Sequence, residues 1–108
     1  MSFHITAANV ELEKNRILSA YLPTRQGHGV GKWRTMNLDD VLGNDNGSFA
    51  WDWVNFSHSA QDIRLERQGR DKIPILYAKL RNAKGQWVDA SVNLGERIAN
   101  DEGEFKFV

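Results

Sequence analysis

Two stretches of the 108-residue chain carry polar side chains in a pattern that could do chemistry. Gly43–Trp51 and Ala99–Phe107 each place an Asn-Asp-x-Gly turn before aromatic residues at every second position. Amide and carboxylate side chains fixed on tight turns can donate to and accept from the vicinal hydroxyl groups of a pyranose. An ordinary hairpin turn needs the same residues, because Gly and Asn tolerate a positive φ angle. Taken alone, the pattern therefore favours a structural role for these turns.

Other kinds of reactive site have no matching pattern. His4, His28 and His58 lack the spacing of metal ligands, and the chain has no cysteine to supply thiolate ligands or a nucleophile. No phosphate-binding loop, dinucleotide fingerprint or nucleophile elbow occurs in the sequence. Nothing pairs acids such as Asp39 and Glu102 across a cleft, as a glycosidase requires. We therefore expect no enzyme activity, no metal site and no cofactor.

The charge balance also excludes some partners. The 14 basic and 14 acidic residues cancel, and Lys and Arg form no run. We therefore expect neither nucleic acid nor a membrane as a partner. The first residues show no basic region followed by an apolar run, so we expect neither a signal peptide nor a membrane span. Together with the absence of cysteine, this makes a cytoplasmic location the default expectation, with the location otherwise unknown.

The chain is a duplication of one pattern. Phe3 aligns with Phe56, and the run Ile17–Leu22 aligns with Ile75–Leu80. The length differences between the halves fall in loop-like sequence, where insertions are tolerated. A half of roughly 50 residues cannot bury enough apolar surface to fold alone without disulfides or a metal. The two halves must therefore share one core.

Alternating apolar and polar residues predict β-strands in both halves, for example at Leu18–Leu22 and Phe49–Trp53. One segment in each half has helical spacing instead, and it begins after Asn37 or Asn93, each placed as an N-cap. Each half is thus predicted as three strands, a short helical or 3₁₀ turn and one further strand. The junction Trp51–Phe56 is apolar, so we expect it to be packed.

The doubled segments resemble the cyanovirin-N homology (CVNH) domain, a lectin fold of two tandem repeats. The resemblance covers the whole chain and is carried mainly by Asn37–Trp51, Val92–Leu94 and Ile98–Phe107. It implies an all-β fold with short 3₁₀ turns, pseudo-symmetric and strand-exchanged, in a single domain. It further implies a monomer, or a swapped dimer, although no hinge proline is present from which swapping could be predicted.

The resemblance also divides the single domain of residues 1–108 into lobes. One lobe would comprise residues 1–40 plus 97–108, and the other residues 41–96. Family members with disulfides have one per lobe, and the aligned pairs here are Ala7 with Leu22 and Ala60 with Leu80. These apolar pairs indicate either a reducing compartment or simply two further core contacts.

The resemblance implies one carbohydrate-binding site in each lobe. In the 41–96 lobe, which we expect to hold the stronger site, the aligned positions are Asn44, Asp45, Asn46, Asn55, His58, Ser59, Arg81, Asn82, Ala83 and Gly85. In the terminal lobe they are Ser2, Thr6, Pro23, Thr24, Arg25, Asn100, Asp101 and Glu102.

Both sites depart from the better-known family pattern. Gly43 stands where that pattern has an acid and Ala83 where it has an Arg, so some polar contacts are lost. In the terminal lobe Pro23 replaces an acid, and the loop around His28 is longer. The longer loop could close or reshape the terminal site. These departures together decide the ranking of the two lobes.

The function that the resemblance implies is a non-catalytic lectin for high-mannose glycans, binding terminal α1,2-linked mannose on oligosaccharides or glycoproteins. Trp51 and Trp53 could stack on a sugar, although a strand Trp in a small domain more often belongs to the core. The alternative is a protein–protein interaction module that keeps the fold and has lost sugar binding.

Overall fold

The computed structural model describes residue 3 and residues 7–24 and 30–108, and it confirms an all-β fold with short 3₁₀ turns. The first half contains the strands β1 (Ala8–Glu13), β2 (Ile17–Pro23), β3 (Gly31–Asn37), β4 (Leu42–Asp45) and β5 (Ser48–Trp51). The second half contains β6 (Ala60–Gln68), β7 (Ile73–Arg81), β8 (Trp87–Asn93), β9 (Ile98–Asp101) and β10 (Glu104–Phe107). The 3₁₀ turns lie at Leu38–Asp40, Phe56–Ser59 and Leu94–Glu96.

The two halves repeat the same arrangement. β1-β2-β3 and β6-β7-β8 each form a three-stranded sheet, while β4-β5 and β9-β10 form two-stranded hairpins. The pairing of β1 with β2 shifts register between Ala8 and Glu11, and that of β6 with β7 between Gln61 and Arg64. A residue with positive φ lies at each shift, Asn9 in the first half and Asp62 in the second. The duplication seen in the sequence thus extends to the irregularities of the edge strands.

The predicted helical segments are single 3₁₀ turns with the expected caps. Asn37 Oδ1 accepts a hydrogen bond from the backbone N–H of Asp39 at 3.0 Å. Asn93 Oδ1 accepts from Gly95 N–H at 2.8 Å. These contacts satisfy donors that the first turn leaves without an internal partner. The N-cap prediction from the two Asn residues is confirmed.

The structure differs from the prediction after the two predicted 3₁₀ turns, Leu38–Asp40 and Leu94–Glu96, where two strands follow rather than one. In the first half the predicted strand is β5, and β4 precedes it. β4 has only four residues, and Gly43, Asn44 and Asp45 are residue types depleted in strands. Propensity therefore gave no signal for β4, which is held by its pairing with β5.

The core is shared by both halves, as predicted. Its fully buried side chains are repeat-related pairs, namely Phe3 with Phe56, Leu18 with Leu76, Leu38 with Leu94 and Leu42 with Ile98. Each member of a pair comes from the position where the alignment of the two halves placed it. One continuous cluster thus replaces the two separate cores that independent modules would need.

Each hairpin packs on the three-stranded sheet of the other half. β5 contacts β8, and β10 contacts β3. Aromatic contacts follow the same symmetry, since Phe49 lies 5.6 Å from Phe56 and Phe105 lies 5.5 Å from Phe3 between ring centroids. Trp51 packs against its counterpart Phe107 at 5.9 Å. The halves therefore exchange strands, while the lobe boundaries at residues 40 and 97 stay a prediction.

The apolar pairs at the positions aligned with family disulfides lie in the sheets or, for Ala7, directly before a strand. Ala60 and Leu80 are direct partners across β6 and β7. Ala7 precedes Ala8, which pairs with Tyr21 beside Leu22. Leu22 and Leu80 are fully buried. Both pairs therefore lie where main-chain pairing already brings the two chain segments together.

The prediction of a packed junction is wrong for its middle residues. Phe56 is fully buried and Trp51 is half-buried, but Trp53 is 49% and Val54 58% exposed. The chain crosses the surface here, and Trp53 Cβ presses against the backbone of Gly43. Composition alone does not reveal this, because a short apolar segment can cross the surface between two buried ends.

Candidate functional site

The first Asn-Asp-x-Gly stretch forms a two-residue hairpin turn between β4 and β5. Asp45 pairs with Ser48, and the residues between them, Asn46 and Gly47, have φ angles of 51° and 93°. Two consecutive positive φ angles are the geometry of a type I′ turn, which suits the twist of antiparallel strands. Gly47 is also closely packed, since a Cβ there would lie 3.2 Å from Val88 Cβ.

Asn44 fixes this hairpin to its surroundings. Its Oδ1 accepts from Gly47 N–H at 2.8 Å, which closes the turn. Its Nδ2 donates to Ser59 Oγ and to the carbonyl of Arg81, both at 2.8 Å. An amide nitrogen has two donors, so both are used. The Asn44 side chain therefore positions the site and retains capacity for one further acceptor bond.

The candidate site of the 41–96 lobe has the β4-β5 hairpin as its first wall and the loop between β7 and β8 as its second. Asn82 Oδ1 accepts from the N–H groups of Lys84 and Gln86 at 3.0 and 2.9 Å, and so shapes the loop from within. Asn46 Oδ1 accepts from Ala83 N–H at 2.8 Å, which joins the hairpin turn to this loop. The hairpin turn and this loop together form a rim. Its backbone is held by these hydrogen bonds, and most of its side chains are exposed to solvent.

Arg81 and Gly85 lie together at one end of that rim. A Cβ at Gly85 would lie 3.6 Å from Arg81 Nη2, and Gly85 has a φ of 79°. The guanidinium therefore lies close to the loop backbone, and its five N–H donors are fixed in a planar fork. Arg81 is exposed to solvent at this end of β7.

The junction contributes the third wall through Asn55, His58 and Ser59. Asn55 has a φ of 63° and is exposed, and its N–H donates to the carbonyl of Asp39 at 2.8 Å. His58 is exposed and its N–H donates to the carbonyl of Asn55 at 3.1 Å. Ser59 is bonded to Asn44, and Asn55 and His58 lie on the same short segment as Ser59.

Asp39 supports the site although its sequence context did not predict it as a site residue. It is only 6% exposed, and its carboxylate accepts from both the N–H and the hydroxyl of Ser57. These bonds hold the 3₁₀ turn that carries His58 and Ser59. One signal could have found it, because Asp39 stands where the second half has Gly95.

The terminal site repeats the hydrogen bonds made by Asn44, in which one Asn closes its own turn and ties that turn to the neighbouring strand end. We call this arrangement the brace. Asn100 Oδ1 accepts from Gly103 N–H at 2.9 Å, and Asn100 Nδ2 donates to the carbonyl of Pro23 at 3.1 Å. Thr24 packs on the turn, since a Cβ at Gly103 would lie 2.8 Å from Thr24 Cγ2. Asp101 and Glu102 are exposed on this turn, and Glu102 has a φ of 52°. The structure therefore brings Pro23, Thr24 and these turn residues together.

Part of the predicted terminal site lies outside the described residues. Ser2, Thr6 and Arg25 are among the positions that are not described, as is the longer loop around His28. The ranking of the two lobes, which depends partly on that loop, therefore stays a prediction.

The part of the chain that the structure describes contains neither a candidate metal site nor a membrane-spanning helix. Within the described residues, no group of three or more His, Asp or Glu side chains could hold a metal ion. In the same part of the chain, no helix is long and apolar enough to cross a membrane.

A surface groove runs between β1 and β6, lined by residues such as Val10, Ile63 and Arg67, which were not predicted as site residues. The turn sites can offer hydrogen bonds to a ligand.

Comparison with known families agrees with this architecture. The CVNH domain matches residues 3–106. The chain belongs to the CVNH family. A cyanovirin-N homolog of Neurospora crassa is 40% identical over 111 residues, covering 98% of this chain and 97% of that protein.

Solved structures show the same fold along the full length. The NMR structure of the Gibberella zeae CVNH protein has a TM-score of 0.90 and 45% identity, covering 97% of this chain and 95% of that one. Microvirin, solved as a complex with mannobiose, has a TM-score of 0.81 at 24% identity and covers 99% of this chain and 98% of its own. At that identity the likeness to microvirin concerns the fold. The CVNH fold of this chain is thereby established.

Proposed function

We propose that this CVNH protein is a lectin for mannose-rich glycans that binds terminal α1,2-linked mannose without catalysing a reaction. The observation that carries the proposal is the repeated brace, in which Asn44 and Asn100 tie their turns to the neighbouring strand end. Family membership supports carbohydrate binding in general. Mannose and its linkage are the finer part of the proposal. The mannobiose complex of microvirin motivates mannose, and the resemblance to the CVNH family motivates the α1,2 linkage.

The physical argument is one of preorganisation. Each sugar hydroxyl can donate and accept, so a site of amides, an Arg and backbone groups can match neighbouring hydroxyls. Asn44, Asn82 and Asp39 already hold the backbone around these groups through internal hydrogen bonds. Binding then orders few additional side chains, which reduces the entropic cost of association.

Gly43 explains why one contact of the better-known pattern is absent. A Cβ at this position would lie 2.4 Å from Trp53 Cβ and 2.9 Å from the carbonyl oxygen of Val54. Real Cβ atoms do not approach so closely, so no acidic side chain fits while the junction follows this path. The proposed site in the 41–96 lobe must therefore rely on Asn46, Asn55 and Arg81.

We further propose that the 41–96 lobe holds the stronger site. Its three walls are joined by the bonds of Asn44 and Asn46, and its loop carries no proline in place of a polar side chain. A chain with one working site would bind a glycan but could not cross-link two of them. Cross-linking needs both sites engaged at once.

A glycan array tests the proposal with the wild type and with two variants, Asn44→Ala and Asn100→Ala, at equivalent positions of the two repeats. We expect signal on oligosaccharides that end in α1,2-linked mannose, and little on those that end in α1,3- or α1,6-linked mannose. Asn44→Ala should remove most of the signal and Asn100→Ala should leave most of it, although each variant loses the same kind of brace. The opposite pattern would overturn the ranking of the lobes. A silent array with folded protein would contradict the lectin proposal and favour the protein–protein interaction module.

A further inference from the structure

The outer face of the β1-β2-β3 sheet carries an aromatic pair, in which Trp33 is exposed and Tyr21 is half-buried. Tyr21 on β2 and Trp33 on β3 are direct partners across the ladder. Their ring centroids are 5.6 Å apart and their planes are inclined by 71°, an edge-to-face arrangement. Trp33 is 59% exposed, which makes it the most exposed of the four tryptophans. A large apolar ring therefore lies open to solvent on the sheet.

Gly31 makes room for this pair. A Cβ at Gly31 would lie 2.5 and 2.7 Å from ring atoms of Tyr21. The backbone of Gly31 is outside the left-handed region, so its conformation does not itself require glycine. The absence of a side chain lets the Tyr21 ring rest on the main chain of β3. The ring is thereby held between Gly31 and Trp33.

The second half shows that the fold does not need an aromatic pair at this place. The pairing of β2 with β3 is repeated in the pairing of β7 with β8. The pair Tyr21–Trp33 in the first sheet corresponds to the pair Lys79–Asp89 in the second. At the position of the two rings, the second sheet thus has a Lys and an Asp. Charged residues are the ordinary content of a solvated sheet face. The aromatic pair is therefore a departure of the first sheet alone.

Polar groups border the pair at one end. Ser19 and Thr35 are the next partners on the same face, and Glu11 on β1 pairs with Ser19. Alternate residues of a strand are about 6.6 Å apart, similar to the width of one sugar ring. Thr35 and Glu11 are exposed. The face thus combines an apolar platform with hydroxyl and carboxylate groups one ring width away.

We propose that Tyr21 and Trp33 form a second kind of carbohydrate site, which stacks on the apolar face of β1,4-linked sugars with equatorial hydroxyl groups. Such rings present only C–H groups on their faces, and burying these on an aromatic ring removes apolar surface from water. Mannose carries an axial hydroxyl at C2, which blocks one of its two faces. Ser19, Thr35 and Glu11 would bind hydroxyl groups at the ring edge. This inference extends the proposed carbohydrate binding, and it uses none of the residues of the turn sites.

Isothermal titration calorimetry of the full chain with cellotetraose and with tetra-N-acetylchitotetraose tests the proposal. We expect weak binding of both sugars if the ring face suffices, or of the chitotetraose alone if its acetamido groups also bind. Trp33→Ala should lower the affinity roughly tenfold, and Trp33→Phe should restore part of it. Trp87→Ala is the matched control, because Trp87 is an exposed ring of the other three-stranded sheet and pairs with Arg81. It should leave the affinity unchanged.

A second variant tests the geometry without removing a ring. Gly31→Ala adds one methyl group that must displace Tyr21, and it should also weaken tetrasaccharide binding. Binding of α1,2-mannobiose, measured by NMR shifts at the turn sites, tests the proposed mannose function separately. The protein could bind mannobiose and not the tetrasaccharides, or the reverse, so the failure of one proposal is distinguishable from the failure of the other. Absence of binding to both tetrasaccharides would overturn the platform. So would a Trp33→Ala variant with lower thermal stability and unchanged affinity, because the pair would then serve only to stabilise the sheet.

Discussion

Asn44 and Asn100 occupy the same place in the two halves and make the same kinds of hydrogen bond. Each closes its own turn through Oδ1 and reaches a carbonyl of the neighbouring strand through Nδ2. These side chains were predicted to face sugar hydroxyls. The structure gives them a positioning role, and their direct contact with a ligand stays a prediction. The sequence repeat is enough to locate these two Asn residues. The direction of each side-chain amide depends on a carbonyl that is distant in sequence, that of Arg81 or that of Pro23.

The most specific residue-scale prediction concerns the buried carboxylate of Asp39. Asp39→Ala removes the acceptor of Ser57 N–H and of its hydroxyl, so we expect a loss of about 1–3 kcal/mol in unfolding free energy. Asp39→Asn can keep both bonds by reorienting the hydroxyl and should lie close to the wild type. Urea unfolding measures the difference.

The neighbouring exposed residue Asp40 supplies the control for this experiment. Asp40→Ala removes a carboxylate of the same 3₁₀ turn and should change stability little. Equal losses for Asp39→Ala and Asp40→Ala would contradict the role assigned to the buried carboxylate. The sequence marks Asp39 only as a difference from Gly95 in the second half, and it does not reveal the partner Ser57, which the path of the junction brings near.

At the scale of elements, the two hairpins carry the candidate sites and the two sheets support them. The sequence predicted β5 through its alternating aromatic residues and missed β4, whose Gly43, Asn44 and Asp45 have low strand propensity. It placed the turn correctly because Asn46-Gly47 is the residue pair that a type I′ turn requires. Turn chemistry is local and can be read directly, whereas the partner of a short strand is set by tertiary packing.

Gly47→Ala tests whether the hairpin turn must pack closely on β8. The added methyl group would stand at a φ of 93° and 3.2 Å from Val88 Cβ, so we expect about 2–3 kcal/mol of destabilisation. Gly69→Ala is the matched control, since Gly69 has a φ of 75° and a methyl group added there would meet no atom within 4 Å. It should cost about 1 kcal/mol, from the backbone conformation alone. Similar unfolding free energies for the two variants would show that packing on Val88 contributes nothing.

At the scale of the whole molecule, the duplication determines how the core is built. Phe3 with Phe56 and Leu18 with Leu76 meet in one cluster, as expected for halves too small to fold alone. The molecule is elongated, with extents of 52 × 26 × 22 Å. Composition could not foresee that Trp53 lies on the surface, because that depends on which way the junction crosses the shared core. The same fold leaves two similar turn sites with unequal surroundings.

An NMR titration of the ¹⁵N-labelled chain with α1,2-mannobiose tests the central claim most directly. The backbone N–H of Gly47 bonds to Asn44 and that of Ala83 bonds to Asn46, so both amides report on the 41–96 site. Gly103 N–H, bonded to Asn100, reports on the terminal site. We predict saturable shifts at Gly47 and Ala83 at lower sugar concentration than at Gly103. The absence of shifts in both regions at millimolar mannobiose would contradict the account.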